Sequence, residues 1–571
     1  MLAGPKLQSL NELIKGASRD ELMWISGYIA ALTGQPIMVE TPANEFVQDA
    51  AFVMPSCTVV YGTETGNSKK VAVDFSNRLK KQGVQAKIKS LDQYRLADLS
   101  KESHMIVVIS TQGDGEPPAA AKKFYDYIHQ NDVALTQLKY GVLALGDSAY
   151  PLFCKAGEDV DRRLHFLGGR RIVPVKKCDT DFEADASAWI DELITAASAV
   201  GGVTNGAATV KTKPAKAGKK FYDGTVVTSI NLNDRGSGKE TYHIEIGTEE
   251  AISYQPGDAI GIVAKNNTAA VKKILELLSL KGNEEFQFRD QPYKAEELFT
   301  SKINVQYLPE RIIQQYASLA GKEIPNIRMD LADLLRIYPA DKKWNVQQLV
   351  SILEPIAPRL YSVASSPAAH GENEVHITVS RDNFCIDGQT RYGLCSDYLS
   401  QLNENDSLQV YIQKNNAFRL PDAKTDIIMI GPGTGIAPFR SFLFERDAQG
   451  AEGRNWLFFG DQHFVTDFLY QTDLQGLRDT GVLTKMNLAF SRDQKEKVYV
   501  QHKMQQNAKE LFEWIESGAQ IYICGCKDPM SFDVEKTLLN IIAQEKNIST
   551  ESAQEYLNAM KEAGRYHKDV Y

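Results

Sequence analysis

Residues 57–75 read CTVVYGTETGNSKKVAVDF, and this stretch decides the fold of the first third of the chain. CTVVYG is a short apolar run rich in β-branched residues, the composition of a buried strand. The loop Thr63-Glu64-Thr65-Gly66-Asn67-Ser68 follows it directly, and Val71, Phe75 and Leu79 then recur every four residues, on one helix face. Outward from there the pattern repeats in MIVVIS (105–110), YGVLALG (140–146) and RIVPVKK (171–177), each separated by amphipathic segments. Such β/α alternation predicts a parallel, doubly wound sheet over residues 55–200.

The remaining organisation follows from changes of period. Residues 201–220, GGVTNGAATVKTKPAKAGKK, have no apolar periodicity and read as a flexible linker. Over 221–422, alternating strands such as TYHIEIG and VHITVS and the turn Pro256-Gly257-Asp258 predict an antiparallel barrel, interrupted by a helix-rich insertion at about 267–355. From 423 to 571, DIIMIG, NWLFFG, MNLAFS and IYICG restore the alternation and predict a second doubly wound domain. Residues 1–54 carry two short helical patterns, the second opened by the capping-box spacing Ser18-x-x-Glu21. They read either as a helix packed on its own domain or as an oligomerisation element.

Composition narrows the function classes. A net charge of −9, from 64 basic against 73 acidic residues, argues against nucleic-acid binding as the main task. No apolar run approaches a membrane span, and the opening MLAGPKLQSLNELIKG lacks the apolar core of a signal peptide. Seven cysteines, an odd number without framework spacing, suit a reducing compartment. The expectation is a cytoplasmic protein that binds neither membrane nor nucleic acid.

The first loop offers backbone N–H groups and hydroxyls that wrap a phosphate at a helix N-terminus. Two more loops end strands of the same sheet: Ser110-Thr111-Gln112-Gly113, and Leu145-Gly146-Asp147 leading to Tyr150, Phe153 and Cys154. Ligands of doubly wound sheets bind at this carboxyl edge. Together the loops resemble the flavodoxin fold, which implies FMN with its phosphate in the first loop, its ring between the other two, and Tyr150 stacked on that ring. Phe153 and Cys154 join the site by the same resemblance.

In the middle domain Arg359-Leu360-Tyr361-Ser362 supplies a guanidinium for a pyrophosphate, a planar ring for a flavin and a hydroxyl donor. Gly393-Leu394-Cys395-Ser396 then opens a helix. The ordered pair resembles the FAD-binding signature of the ferredoxin-NADP reductase family. The last domain opens with Gly431-Pro432-Gly433-Thr434-Gly435, whose glycines let a backbone approach a pyrophosphate although the strict dinucleotide spacing is absent. Downstream, Ser491, Arg492, Lys497, Tyr499 and Gln501 provide the cations and hydroxyls that a ribose 2′-phosphate needs, which favours NADPH.

The whole order, over about 55–571, resembles the diflavin reductases. Within them STQGDGEPP, LGDSAYPLFC, SRDQKEKVYVQ and the terminal RYHKDVY are most similar to the flavoprotein (alpha) subunits of assimilatory NADPH-sulfite reductases. The resemblance implies electron flow from NADPH to FAD to FMN and on to a haemoprotein (beta) subunit with sirohaem and an iron-sulfur cluster, which reduces sulfite to sulfide. It assigns Ser362, Cys524 and Asp569 to the hydride-transfer locus, Tyr571 to the FAD ring, Asp533 to the NADP site and residues 1–54 to homo-oligomerisation. The alternatives are a soluble reductase serving another haem protein and a non-catalytic protein keeping the folds.

Two features depart from these assignments. The family's usual Cys-Gly-Asp is Cys524-Gly525-Cys526 here. Two thiols without further ligands are too few for a closed zinc site, so no metal is expected and Cys526 is expected to be buried packing. The acidic run Asp179, Asp181, Glu183 and Asp185 reads equally as a docking face for a basic partner and as solvated helix-start charge.

Overall fold

The computed structural model describes residues 56–63, 66–113, 115–147, 150, 152–180, 182–198, 220–289, 291–325, 327–340, 345–386 and 389–571. The expected oligomerisation segment, the linker up to residue 219, and Glu64, Thr65 and Asp181 lie outside the described residues.

The first sheet contains β1 (Ser56–Gly62), β2 (Gln85–Ser90), β3 (His104–Ser110), β4 (Lys139–Leu145), β5 (Arg170–Arg171) and β6 (Lys176–Cys178). Its order is β2-β1-β3-β4-β5, with β6 also on β4, and every pairing is parallel. The order reverses between β1 and β3, which leaves a crevice at their carboxyl ends. Val71, Phe75 and Leu79 are buried on the helix Asn67–Lys81, as their spacing predicts. β2 was not legible in the sequence, because QAKIKS is a charged, largely exposed edge strand without an apolar run. RIVPVKK, expected as one strand, is two short ones: Pro174 has no N–H for the ladder, and its carbonyl accepts from Trp189 Nε1 at 3.0 Å.

The barrel is built from β7 (Phe221–Asn231), β8 (Thr241–Thr248) and β9 (Ala259–Ile262) before the insertion, and from three further strands after it. The insertion adds the hairpin β10 (Glu285–Phe288) and β11 (Gln291–Lys294), and β12 spans Arg359–Ser362, β13 Glu374–Ser380, β14 Asn383–Ile386, β15 Gln389–Tyr392 and β16 Ser407–Gln413. The barrel order is β12-β9-β16-β7-β8-β13, antiparallel throughout, and a bridge from Val363 to Ile377 joins the two edges. The insertion has a core of its own, with Phe299, Ile313, Tyr316, Leu334 and Leu349 buried together. Each such side chain contributes about 2 kcal/mol on burial, enough in sum for these short helices to hold one another.

The third sheet contains β17 (Ile427–Ile430), β18 (Asn455–Asp461), β19 (Lys485–Phe490), β20 (Gln520–Gly525) and β21 (Tyr566–Val570). It is parallel in the order β19-β18-β17-β20-β21, with apolar cores on both faces. The last strand carries the C-terminus into the sheet, with Asp569 opposite Cys524 in the β20–β21 register. Among the described residues no helix is long and apolar enough to cross a membrane.

Candidate flavin and nicotinamide sites

The three loops of the first sheet do meet at one edge. Thr63 Oγ1 accepts a hydrogen bond from Gly66 N at 2.9 Å. Gly66 has φ +86° and open space where a side chain would stand. The helix that follows carries no acid in its first turn, and the Ser68 hydroxyl is fully buried, with no hydrogen-bond partner among the described residues. Beside it, Thr111 N donates to Leu145 O at 2.9 Å, and Thr111 Oγ1 caps the neighbouring helix by accepting from Ala156 N at 3.2 Å. Gln112 and Glu116 exchange two backbone hydrogen bonds of 2.9 Å, closing a tight turn around Gly113.

In the third loop Gly146 N donates to Cys178 O at 3.0 Å and Tyr150 N to Asp147 O at 3.0 Å. The Tyr150 hydroxyl reaches the barrel, donating to Pro358 O at 3.2 Å, one residue before Arg359. Phe153 lies under Lys177 Nζ at 5.8 Å. Cys154 is turned inward: its thiol donates to Ala144 O at 3.3 Å, and burial pushes it up to about 12. That side chain serves the sheet, not the open edge.

At the end of β12, Arg359 and Leu360 are exposed, while Tyr361 and Ser362 are half-buried. Ser362 Oγ donates to Asp569 Oδ2 at 2.6 Å. Cys524 is fully buried, and burial, then the Asp569 charge, push its thiol well up. Tyr571 is held by its main chain, with its N donating to Gly525 O at 3.1 Å and its O accepting from Lys527 N at 2.9 Å. Its hydroxyl meets Thr434 Oγ1 at 2.6 Å while the residue as a whole stays 63% exposed. Gly393, Leu394, Cys395 and Ser396 form the start of the helix Leu394–Ser400, where Ser396 Oγ accepts from Asp382 N at 3.1 Å.

Sequence reasoning missed Asp258 and Asn415. Asp258 is buried; its Oδ1 accepts from Asn415 N at 2.8 Å, and its backbone O from Val363 N at 3.0 Å, next to Ser362. Arg419 pairs with the same carboxylate. The Pro-Gly-Asp turn was the available signal; a Cβ on Gly257 would stand 1.8 Å from Phe418 O, so the turn is a packed interior corner.

The glycines of the third domain divide by role. A Cβ on Gly431 would meet Gly435 O at 2.4 Å, and one on Gly435 would meet Cys524 O at 2.2 Å. Both are therefore required by packing, whereas a Cβ on Gly433, at φ +58°, would meet only Asp461 Oδ2, at 4.0 Å. Ser491 is buried, whereas Arg492, Lys497 and Tyr499 are exposed, with no carboxylate paired to either cation among the described residues. Gln501 Nε2 donates to Asp533 Oδ2 at 3.3 Å, so those two residues are brought together. Asp461, at the end of β18, is held by Lys239 Nζ at 2.6 Å.

A Flavodoxin family model matches residues 59–189, an FAD binding domain model 214–306 and 305–398, and an Oxidoreductase NAD-binding domain model 429–536. The Sulfite reductase [NADPH] flavoprotein alpha-component of Bacillus subtilis is 39% identical over 98% of this chain and 97% of that protein. Its namesakes in Vibrio cholerae and Shewanella sp. (strain MR-7) are each 36% identical, over 99% and 100% of this chain and 95% and 98% of theirs. The chain belongs to the sulfite reductase [NADPH] flavoprotein alpha-component family.

This family member is thus a diflavin oxidoreductase whose cofactors are FMN, FAD and NADPH, and its residues fit them. The Ser68 hydroxyl, without a partner among the described residues, and the Gly66 turn at an acid-free helix start suit a phosphate. Arg359 is exposed, with no carboxylate partner among the described residues, and suits a pyrophosphate. Arg492 and Lys497, exposed and with no carboxylate paired to them among the described residues, suit the 2′-phosphate.

Two expectations about this alpha-component relative need correction or narrowing. Cys526 is exposed, not buried packing, because β20 ends at Gly525 and the thiol lies past the strand, donating to Asp528 O at 2.9 Å. In the acidic run, Glu183 pairs with Lys70 at 3.4 Å and Asp185 with Lys176 at 3.1 Å, which favours local helix-start charge over a docking face.

Proposed function

We propose that this chain is the electron-supplying component of an assimilatory sulfite reductase, taking a hydride from NADPH and passing electrons to a haemoprotein subunit that carries sirohaem and an iron-sulfur cluster. The observation that carries the reading is the convergence of Ser362, Cys524, Asp569 and Tyr571 where β12, β20 and β21 meet. The chemistry supplied by the bound groups is two-electron uptake from NADPH at FAD and single-electron delivery through FMN. Ser362 and Asp569 then orient the nicotinamide side, and Tyr571 covers the flavin position until the nicotinamide displaces it. Arg359, Tyr361 and Gly393–Ser396 hold FAD; Thr63–Ser68, Ser110–Gly113 and Leu145–Tyr150 hold FMN; Gly433, Thr434, Ser491, Arg492, Lys497, Tyr499, Gln501 and Asp533 hold NADPH.

The domain limits that go with this reading are 55–200, 201–220, 221–422 and 423–571, with residues 1–54 joining copies of the chain in the cytoplasm. The names of the relatives as alpha-components support a second, separate subunit. Incubating the protein with NADPH, sulfite and a sirohaem sulfite reductase subunit is expected to yield sulfide. Reduction of another haem protein with no sulfide produced favours the alternative of a soluble reductase with a different acceptor.

A further inference from the structure

A buried polar network joins the barrel to the third sheet, and the functional reading above does not use it. Its centre is Arg440, 7% exposed, on the helix Ala437–Ala448 that follows the glycine turn. Arg440 Nε donates to Asp473 Oδ2 at 2.8 Å, and Nη1 donates to Ala364 O at 2.8 Å and faces His376 Nδ1 at 3.2 Å. The guanidinium also lies on the rings of Phe444 and Tyr470, 4.7 and 5.0 Å from their centroids. The same helix continues the grip: Ser441 Oγ donates to Ser365 O at 2.5 Å, and Glu445 Oε2 accepts from Ser366 Oγ at 2.5 Å. Three consecutive residues, Ala364 to Ser366, are thus held two to four positions beyond Ser362.

The histidines beside Arg440 suggest a metal site at first sight, since ligand atoms of His243, Glu245 and His376 lie within 4.8 Å of one another. The hydrogen bonding argues otherwise. A guanidinium only donates, so His376 Nδ1 is the acceptor and its proton sits on Nε2, against Glu374 Oε1 at 2.5 Å. His243 is bound on both nitrogens, to the Tyr470 hydroxyl at 2.9 Å and Glu245 Oε1 at 3.1 Å. With a fixed cation alongside and all four ring nitrogens engaged, the cluster is a hydrogen-bonded wall.

We propose that Arg440 is a positioning residue for hydride transfer, fixing Ala364 O against the nucleotide-binding helix and thereby setting Ser362 relative to Asp569. A buried cation is a poor way to gain stability, because its desolvation offsets its pairing and an apolar side chain fills the space as well. What an apolar side chain lacks is directed donors to Ala364 O and Asp473 at once. The helix bearing the glycine turn and the strand bearing Ser362 are therefore registered by one rigid fork.

The inference rests on the NADPH-to-FAD reading, so the test begins with the holoenzyme reducing its FAD with NADPH in stopped flow. Failure of that wild-type reaction would defeat the functional reading itself. Given that reaction, Arg440→Met is expected to slow FAD reduction by about 10- to 100-fold, the range for a misplacement near 1 Å. A primary isotope effect with 4-deuterated NADPH should grow, while FAD and FMN content and NADP+ affinity stay as in wild type. Arg440→Lys, which keeps a charge and one donor direction, is expected to recover part of the rate. A wild-type rate and isotope effect in Arg440→Met overturn the proposal. Equal loss of FAD, or an equal fall in Tm, in both variants overturns it too, since Arg440 would then hold the fold and not the geometry.

Discussion

Ser362 Oγ and Asp569 Oδ2 lie 2.6 Å apart although 207 positions separate them in the chain, and their hydrogen bond ties the barrel to the last strand of the third sheet. Burial pushes the Asp569 carboxyl up from its ordinary value, and the Ser362 hydroxyl opposes that by stabilising the carboxylate. On the proposed reading, an anion at this point stabilises positive charge developing on the nicotinamide as hydride leaves.

Asp569→Asn is therefore expected to slow flavin reduction by about 100-fold with little change in NADPH affinity. The sign of the pH effect follows from the raised pKa. Because the carboxylate is the active form, the wild-type rate falls as pH drops through a value above that of an ordinary aspartate, and this acid limb disappears in the Asn variant. Stopped-flow rates across pH, with nucleotide affinities alongside, decide it; a limb that persists in Asp569→Asn would assign it to another group.

Removing Tyr571 is expected to tighten nicotinamide binding and weaken discrimination against NADH, because the exposed ring no longer competes for the flavin face. Binding constants for NADP+ and NAD+ in the truncated protein provide the check. Unchanged affinities would mean that the ring does not occupy the nicotinamide position.

Changing Arg492 and Lys497 together to Ala is expected to raise KM for NADPH by about 10-fold or more, the scale of one lost charge-assisted hydrogen bond, and to leave KM for NADH nearly unchanged. An equal rise for both nucleotides would show that these residues only shape the loop.

Tyr150→Phe keeps the ring but deletes the hydroxyl that reaches Pro358 O. FMN content is expected to be unchanged, while electron transfer between the flavins slows by about fivefold, as befits one hydrogen bond worth about 1 kcal/mol. The comparison is the rate of FMN reduction against the rate of FAD reduction, and loss of FMN itself would contradict this division of roles.

Glu535 bears on the anchoring of the C-terminal strand. Burial alone would raise its pKa, but Lys568 and Lys561 (the latter at 3.2 Å) and the Tyr566 hydroxyl at 2.7 Å hold it at about 2. A depressed carboxylate stabilises the fold above its unfolded pKa, and that stability is lost as pH falls towards 2. Glu535→Gln is expected to cost on the order of 2 kcal/mol at neutral pH and to flatten the acid branch of thermal unfolding. A Tm equal to wild type at pH 7 would mean that the strand is held by its ladder alone.

The loops proposed here for FMN and the nucleotide were legible as loops because each lies directly after an apolar strand. A local run of strand, glycine loop and helix carries its own periodicity, and CTVVYG-TETGNS needs no distant partner to be read. The barrel and its insertion were legible for the same reason, from a change of period. By contrast QAKIKS and RYHKDV carry no apolar alternation strong enough to mark β2 and β21; each is a strand only because a neighbour in the sheet offers it an edge. The family resemblance singled out Ser362 and Asp569, but their 2.6 Å contact exists because β12 and β21 belong to sheets that meet in space. The same holds for Gly431 and Gly435, whose need for glycine comes from packing against Phe439 and Cys524, and for Arg440, an ordinary helix residue until the barrel closes over it. Composition and period fix what each segment is, because those effects act over a few residues. Which segments touch depends on how three cores pack together, and no local pattern encodes that.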